Sequence, residues 1–159
     1  MRLLHRLDLD HDRSTSARDF VLSHAASSPD GPFDGIIGFS EGAIVAADVL
    51  LEQARNPTAH PFKCGIFFCG GAPWDYEGKK SLLADETEER IRVPTFHVLW
   101  KNDILWSTGL TLWGMCLQEP MGALWEHEGG HLVPRDLRSK KVMLEGITGV
   151  VERAQRGTG

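Results

Sequence analysis

Apolar residues follow two rhythms along this chain, short continuous runs and helical stripes, and the two alternate. The runs predict strands over about 33–38, 62–69, 93–100 and 122–127. Phe62-Lys63-Cys64-Gly65-Ile66-Phe67-Phe68-Cys69 is almost wholly apolar, as a strand of a parallel sheet covered on both faces should be. Between the runs lie helical stripes. Residues 14–28 place Ala17, Phe20, Val21 and Ala25 on one face, with Ser14 or Thr15 as the cap. A helix is expected directly after Ser40, through Ala43-Ile44-Val45-Ala46-Ala47, and another over about 107–117. Residues 135–155 predict a final amphipathic helix with Val142, Met143, Ile147, Val150 and Val151 as its apolar side. The polar stretch 78–90 is expected to be partly helical. Residues 1–13 are charged and read as an irregular segment before a single domain over 14–156. Strand alternating with helix predicts an α/β fold, with a mainly parallel sheet of about four strands flanked by helices.

Composition narrows the class. The chain has 159 residues, 42% hydrophobic and 25% charged, and a net charge of −5, which suits one globular domain. No basic block is present, so nucleic acid is not an expected partner. No apolar run approaches the ~18 residues that cross a bilayer, and the first residues lack the apolar core of a signal peptide. The cytoplasm is therefore the expected compartment. Cys64, Cys69 and Cys116 have no metal or redox spacing and read as buried thiols. No metal and no cofactor are expected.

The chemistry gathers at strand ends. Gly38-Phe39-Ser40-Glu41-Gly42 is a G-x-S-x-G pattern between a predicted strand and a predicted helix. Glycines flanking such a turn let strand and helix approach, and the serine sits strained with its hydroxyl exposed. The alternative is a glycine-rich turn in which Ser40 merely caps the helix. A nucleophilic serine needs a base, and the base needs an orienting acid. Asp103 follows the third strand and His131 follows the fourth, the positions where parallel sheets collect functional groups. The order Ser40, Asp103, His131 is that of the α/β-hydrolases. His127-Glu128-Gly129-Gly130-His131 also spells H-E-x-x-H, but zinc chemistry there requires a helix, which Gly129 and Gly130 each disfavour by about 1 kcal/mol. Trp74 and Trp106 are candidates for an acyl pocket, Trp74 because it follows the second strand.

Three segments resemble the FSH family of small serine hydrolases, common in fungi: Gly31 to Ala43 around Ser40, Pro94 to Asp103, and Glu126 to Pro134. The resemblance spans about residues 14–150 and implies a truncated α/β-hydrolase fold. It implies Ser40, Asp103 and His131 as the triad, with the Glu41 N–H as an oxyanion donor. It implies a small-molecule ester or an acyl thioester as substrate, the latter including carrier-bound polyketide chains in secondary metabolism. The chain departs from the family in three places. Glu41 stands for a usual Gln, and Trp100 for a usual Gly. The family's opening strand and His-Gly loop, which supply the second oxyanion N–H, have no counterpart, and residues before 14 are too few to hold them. Losing one such donor costs about 10²–10³ in turnover. The strand before Ser40 is then expected at a sheet edge. The alternative expectation is therefore a catalytically impaired hydrolase-like protein, either a binding partner or an incomplete gene product.

Overall fold

A computed structural model describes residues 11–57, 61–75, 80–85, 87–118 and 120–157, with side chains from residue 17 onward. Its elements in chain order are α1 (His11–Ser27), β1 (Gly35–Phe39), α2 (Glu41–Arg55), β2 (Cys64–Phe68), β3 (Trp74–Asp75) and β4 (Lys80–Ser81). Then follow β5 (Thr95–Trp100), α3 (Trp106–Met115), β6 (Gly122–His127) and α4 (Leu137–Arg156). Four strands pair in parallel in the order β1-β2-β5-β6. All five residues of β2 are buried, as its unbroken apolar run requires.

Alternation along the strands feeds two cores. Phe67 points to the face covered by α2 and α3, where it meets Val49, Leu51, Leu112 and Met115. Ile66, Phe68, Phe96 and Val98 point to the other face and pack on Met143, Val150 and Ala154 of α4. Trp125 of β6 joins this second cluster partly buried. Among the described residues, no helix is long and apolar enough to cross a membrane.

Several sequence expectations need correction. Residues 11–13 belong to α1, so Ser14 and Thr15 lie inside the helix rather than at its start. His11-Asp12-Arg13 contains no glycine or proline, and an aspartate is favoured in a first turn. Residues 1–10 lie outside the described ones. Phe20 is 70% exposed; Val21, Leu22 and Ala25 cover the core instead. No helix forms in the described part of 78–90. Ser81 and Lys80 pair antiparallel with Trp74 and Asp75, and Leu82 N–H donates to Pro73 O. Beyond them the Glu89 N–H donates to Thr87 Oγ1 and the Arg90 guanidinium to Thr87 O, local bonds that compete with a helix ladder.

Among the described residues the strand before Ser40 is a sheet edge, as expected: β1 pairs there with β2 alone. Ile37 is 64% exposed there and Phe39 42%. Such an apolar edge invites pairing with other chains.

The two glycines of the β1–α2 turn are not equivalent. A Cβ on Gly38 would overlap Gly42 O and the Ala43 backbone, whereas one on Gly42 would meet nothing within 4 Å. Gly38→Ala should therefore lower stability by about 2 kcal/mol or more, since backbone must move. Gly42→Ala should leave stability unchanged or raise it by up to about 1 kcal/mol through helix propensity. Urea midpoints of the two variants check the contrast.

His97 of β5 is fully buried against Phe67 and Trp113, with Nε2 on Thr95 Oγ1 at 3.2 Å. Burial pushes its pKa down from 6.5 to about 3. The unfolded chain binds this proton more readily, so the stability contributed by neutral His97 is complete above pH 6.5 and lost as pH falls toward 3. The slope approaches about 1.4 kcal/mol per pH unit. Melting curves across that window should show the acid loss, and His97→Gln should flatten it.

Candidate active site

Ser40 occupies the single residue between β1 and α2, with φ 55 and ψ −124. A non-glycine residue there is strained by about 1–3 kcal/mol. The strain is held in place by the Ser40 N–H donating to Phe68 O at 2.9 Å and by the close approach at Gly38. Its side chain makes no capping bond to α2, which sets aside the capping alternative. The hydroxyl is directed elsewhere.

Its partner is His131. Ser40 Oγ lies 2.9 Å from His131 Nε2, and His131 Nδ1 lies 2.6 Å from Asp103 Oδ2. The Asp103 side chain is only 3% exposed. Its other oxygen, Oδ1, accepts the Leu105 N–H at 3.0 Å, so both oxygens are fixed. An ionised carboxylate only accepts, so Nδ1 carries the imidazole proton and Nε2 is free to accept from Ser40. The three residues come from the carboxyl ends of β1, β5 and β6, as the sequence predicts.

His131 stands on a loop, not a helix. Residues 128–134 are irregular, in keeping with Gly129 and Gly130. Gly130 has φ 107, a conformation that favours glycine, and its carbonyl accepts the Leu132 N–H at 2.8 Å. The Phe39 ring packs on the imidazole with centroids 5.2 Å apart. His127 faces away from this duty: it is buried, accepts the Gly129 N–H at Nδ1, and burial lowers its pKa from the ordinary value.

A cleft of about 470 Å³ opens beside the three residues. Its remaining walls are Glu41, Ile44, Trp100, Asn102, Ile104 and Leu105, mostly apolar. Trp74 and Trp106 are not among its lining residues. Trp74 is carried into the β3–β4 pair, with its backbone N–H donating to Asp48 Oδ1 at 2.9 Å. Trp106 opens α3, with its backbone N–H donating to Asp103 O at 3.0 Å. Trp100 lines the cleft instead. Its signal in the sequence was its place at the end of the third strand, three residues before Asp103. Glu41 opens α2, where the first N–H groups lack intrahelical acceptors. Its side chain is exposed.

The chain is similar to several known proteins. Esterase FPY3 of Fusarium mangiferae is 37% identical over 116 residues, covering 67% of this chain and 50% of that protein. Esterase OVCA2 of Xenopus tropicalis is 35% identical over 120 residues, covering 72% and 47%. The chain thus spans about half the length of the curated relatives it matches. Among solved structures, a lipase-esterase related protein of Clostridium acetobutylicum superposes with a TM-score of 0.62 at 14% identity, over 86% of this chain and 75% of that one. A Pyrococcus furiosus esterase gives 0.51 at 18% identity, over 96% and 65%. These likenesses show the α/β-hydrolase fold. The model of the serine hydrolase (FSH1) family matches residues 10–143, most of the chain, and this protein belongs to that family.

Proposed function

We propose that this chain carries the nucleophile, base and acid of a serine hydrolase acting on a carboxylic ester or an acyl thioester. The observation that supports it most is the unbroken hydrogen-bonded series from the strained Ser40 through His131 to the buried Asp103. Ser40 Oγ attacks the acyl carbon while its proton passes to His131 Nε2. The carbonyl electron pair moves onto oxygen, and the Glu41 N–H at the start of α2 donates to it. Asp103 holds the imidazole in the right tautomer and stabilises its charged form. When the tetrahedral intermediate collapses, His131 returns the proton to the departing alcohol or thiol. Water then repeats the sequence on the acyl-serine. No cofactor is needed for this chemistry.

The cleft supports an apolar acyl group. Ile44, Trp100, Ile104 and Leu105 give it mostly apolar walls, and its open mouth suits a substrate presented from outside. The finer reading is therefore an acyl thioester delivered by a carrier protein, as in release of a polyketide chain in fungal secondary metabolism.

A second reading is an impaired hydrolase-like binding protein. It draws on the exposed β1 edge and on the half-length match to the relatives. A monodisperse 159-residue chain that turns over p-nitrophenyl esters excludes it. In that assay Ser40→Ala and His131→Ala should each lose about 10³-fold or more in kcat. Undiminished hydrolysis by Ser40→Ala contradicts the proposal.

A further inference from the structure

Among the described residues, two non-glycine positions have a positive φ: Ser40 and Cys69, at φ 47. They lie side by side, since Phe39 pairs with Phe68 and each is the next residue along its strand. Strain of this kind is kept where surrounding structure enforces it and often marks function. The hydrolytic chemistry above uses Ser40 and leaves Cys69 idle.

Cys69 sits beneath the proton relay. It is 1% exposed, and its thiol donates to Leu132 O at 3.8 Å on the His131 loop. Burial, reinforced by the Asp103 charge, pushes its pKa up to about 11. One ligand atom each from Cys69, Asp103 and His131 lies within 4.8 Å of the others. Sulfur, carboxylate oxygen and imidazole nitrogen are the donors that zinc takes. Ordinary zinc bond lengths set such atoms about 3.3–3.8 Å apart, so shifts of about 1 Å or less suffice. A thiolate and a carboxylate together neutralise a divalent cation.

We propose that Cys69, Asp103 and His131 form a site for a thiophilic divalent cation, zinc foremost, and that its occupation switches the serine site off. The binding half stands by itself; the inhibitory half rests on the hydrolase reading. On binding, the Cys69 thiol gives its proton to solvent water and its sulfur lone pair to the metal. The metal takes the place of the Nδ1 hydrogen bond to Asp103. Neutral His131 then carries its proton on Nε2, which donates toward Ser40 and can no longer accept from it. The exposed side of His131 leaves the fourth coordination position to water.

Cobalt(II) titrated into the whole chain tests the site without relying on activity. One equivalent should give tetrahedral visible absorption and a near-ultraviolet thiolate band, both displaced by zinc. Cys69→Ser, close in volume, should lose the thiolate band and bind more than ~10-fold more weakly, since loss of even an outer partner costs ~10–100-fold. Cys64→Ser should keep both signals. Saturating zinc should lower p-nitrophenyl ester hydrolysis at least ~10-fold in wild type, reversibly with EDTA, and far less in Cys69→Ser. No thiolate band in wild type, or an equal band in Cys69→Ser, overturns the site. Equal zinc inhibition in both proteins also overturns it, because the metal is then held without Cys69. If wild type hydrolyses nothing even without metal, the hydrolase reading fails, and the cobalt band still decides the site.

Discussion

The parallel ladder joining β1, β2 and β5 is the constraint on which the site depends. At its rim the Ser40 N–H donates to Phe68 O at 2.9 Å, and the Cys69 N–H to Val98 O at 2.8 Å. Each bond carries the ladder one residue beyond the strand, into a backbone conformation that side chains rarely adopt. The next strand continues the pattern, with β6 in register with β5 from Gly122 to His127. Because all four strands run the same way, their ends release Ser40, Cys69, Asp103 and the His131 loop at one rim. A shift of one residue in any pairing would turn these side chains to the opposite face.

Burial then sharpens what the ladder gathers. Asp103 is nearly sealed from water, and both of its oxygens have donors, so its charge is held where solvent screening is weak. His131 spans from that buried carboxylate to the open cleft, with Phe39 against its ring. The same rim has an exposed flank. Among the described residues, Phe39 and Ile37 belong to an edge strand, so the strand that presents Ser40 has a sheet neighbour on one side. Gly42, the glycine that should admit a close neighbour, faces open space.

Much of this was legible in the sequence, because the strongest signals were local. The four long strands announce themselves as apolar runs, and Ser40, Asp103 and His131 by their positions just after strand ends. The pocket was less legible. Trp74 and Trp106 were reasonable from their places in loops, but the Asp48 carboxylate and the β3–β4 pair fix Trp74 elsewhere, and those partners are 26 and seven residues away in sequence. The 78–90 segment misled for a related reason: polar composition fits a helix, and only the bonds of Arg90 and Thr87 show why none forms. The sequence alone marks Cys69 as a buried thiol and no more. Its burial was evident, but its φ of 47 and its closeness to Asp103 and His131 arise from sheet register, which no single segment encodes.

The central claim is that Ser40 is a nucleophile activated by His131, and covalent trapping tests it most directly. A fluorophosphonate incubated with the purified chain should add one adduct mass, and peptide mapping should place it on Ser40. The adduct should vanish in Ser40→Ala and form far more slowly in His131→Ala. An unmodified wild-type protein, or an adduct that persists in Ser40→Ala, contradicts the account.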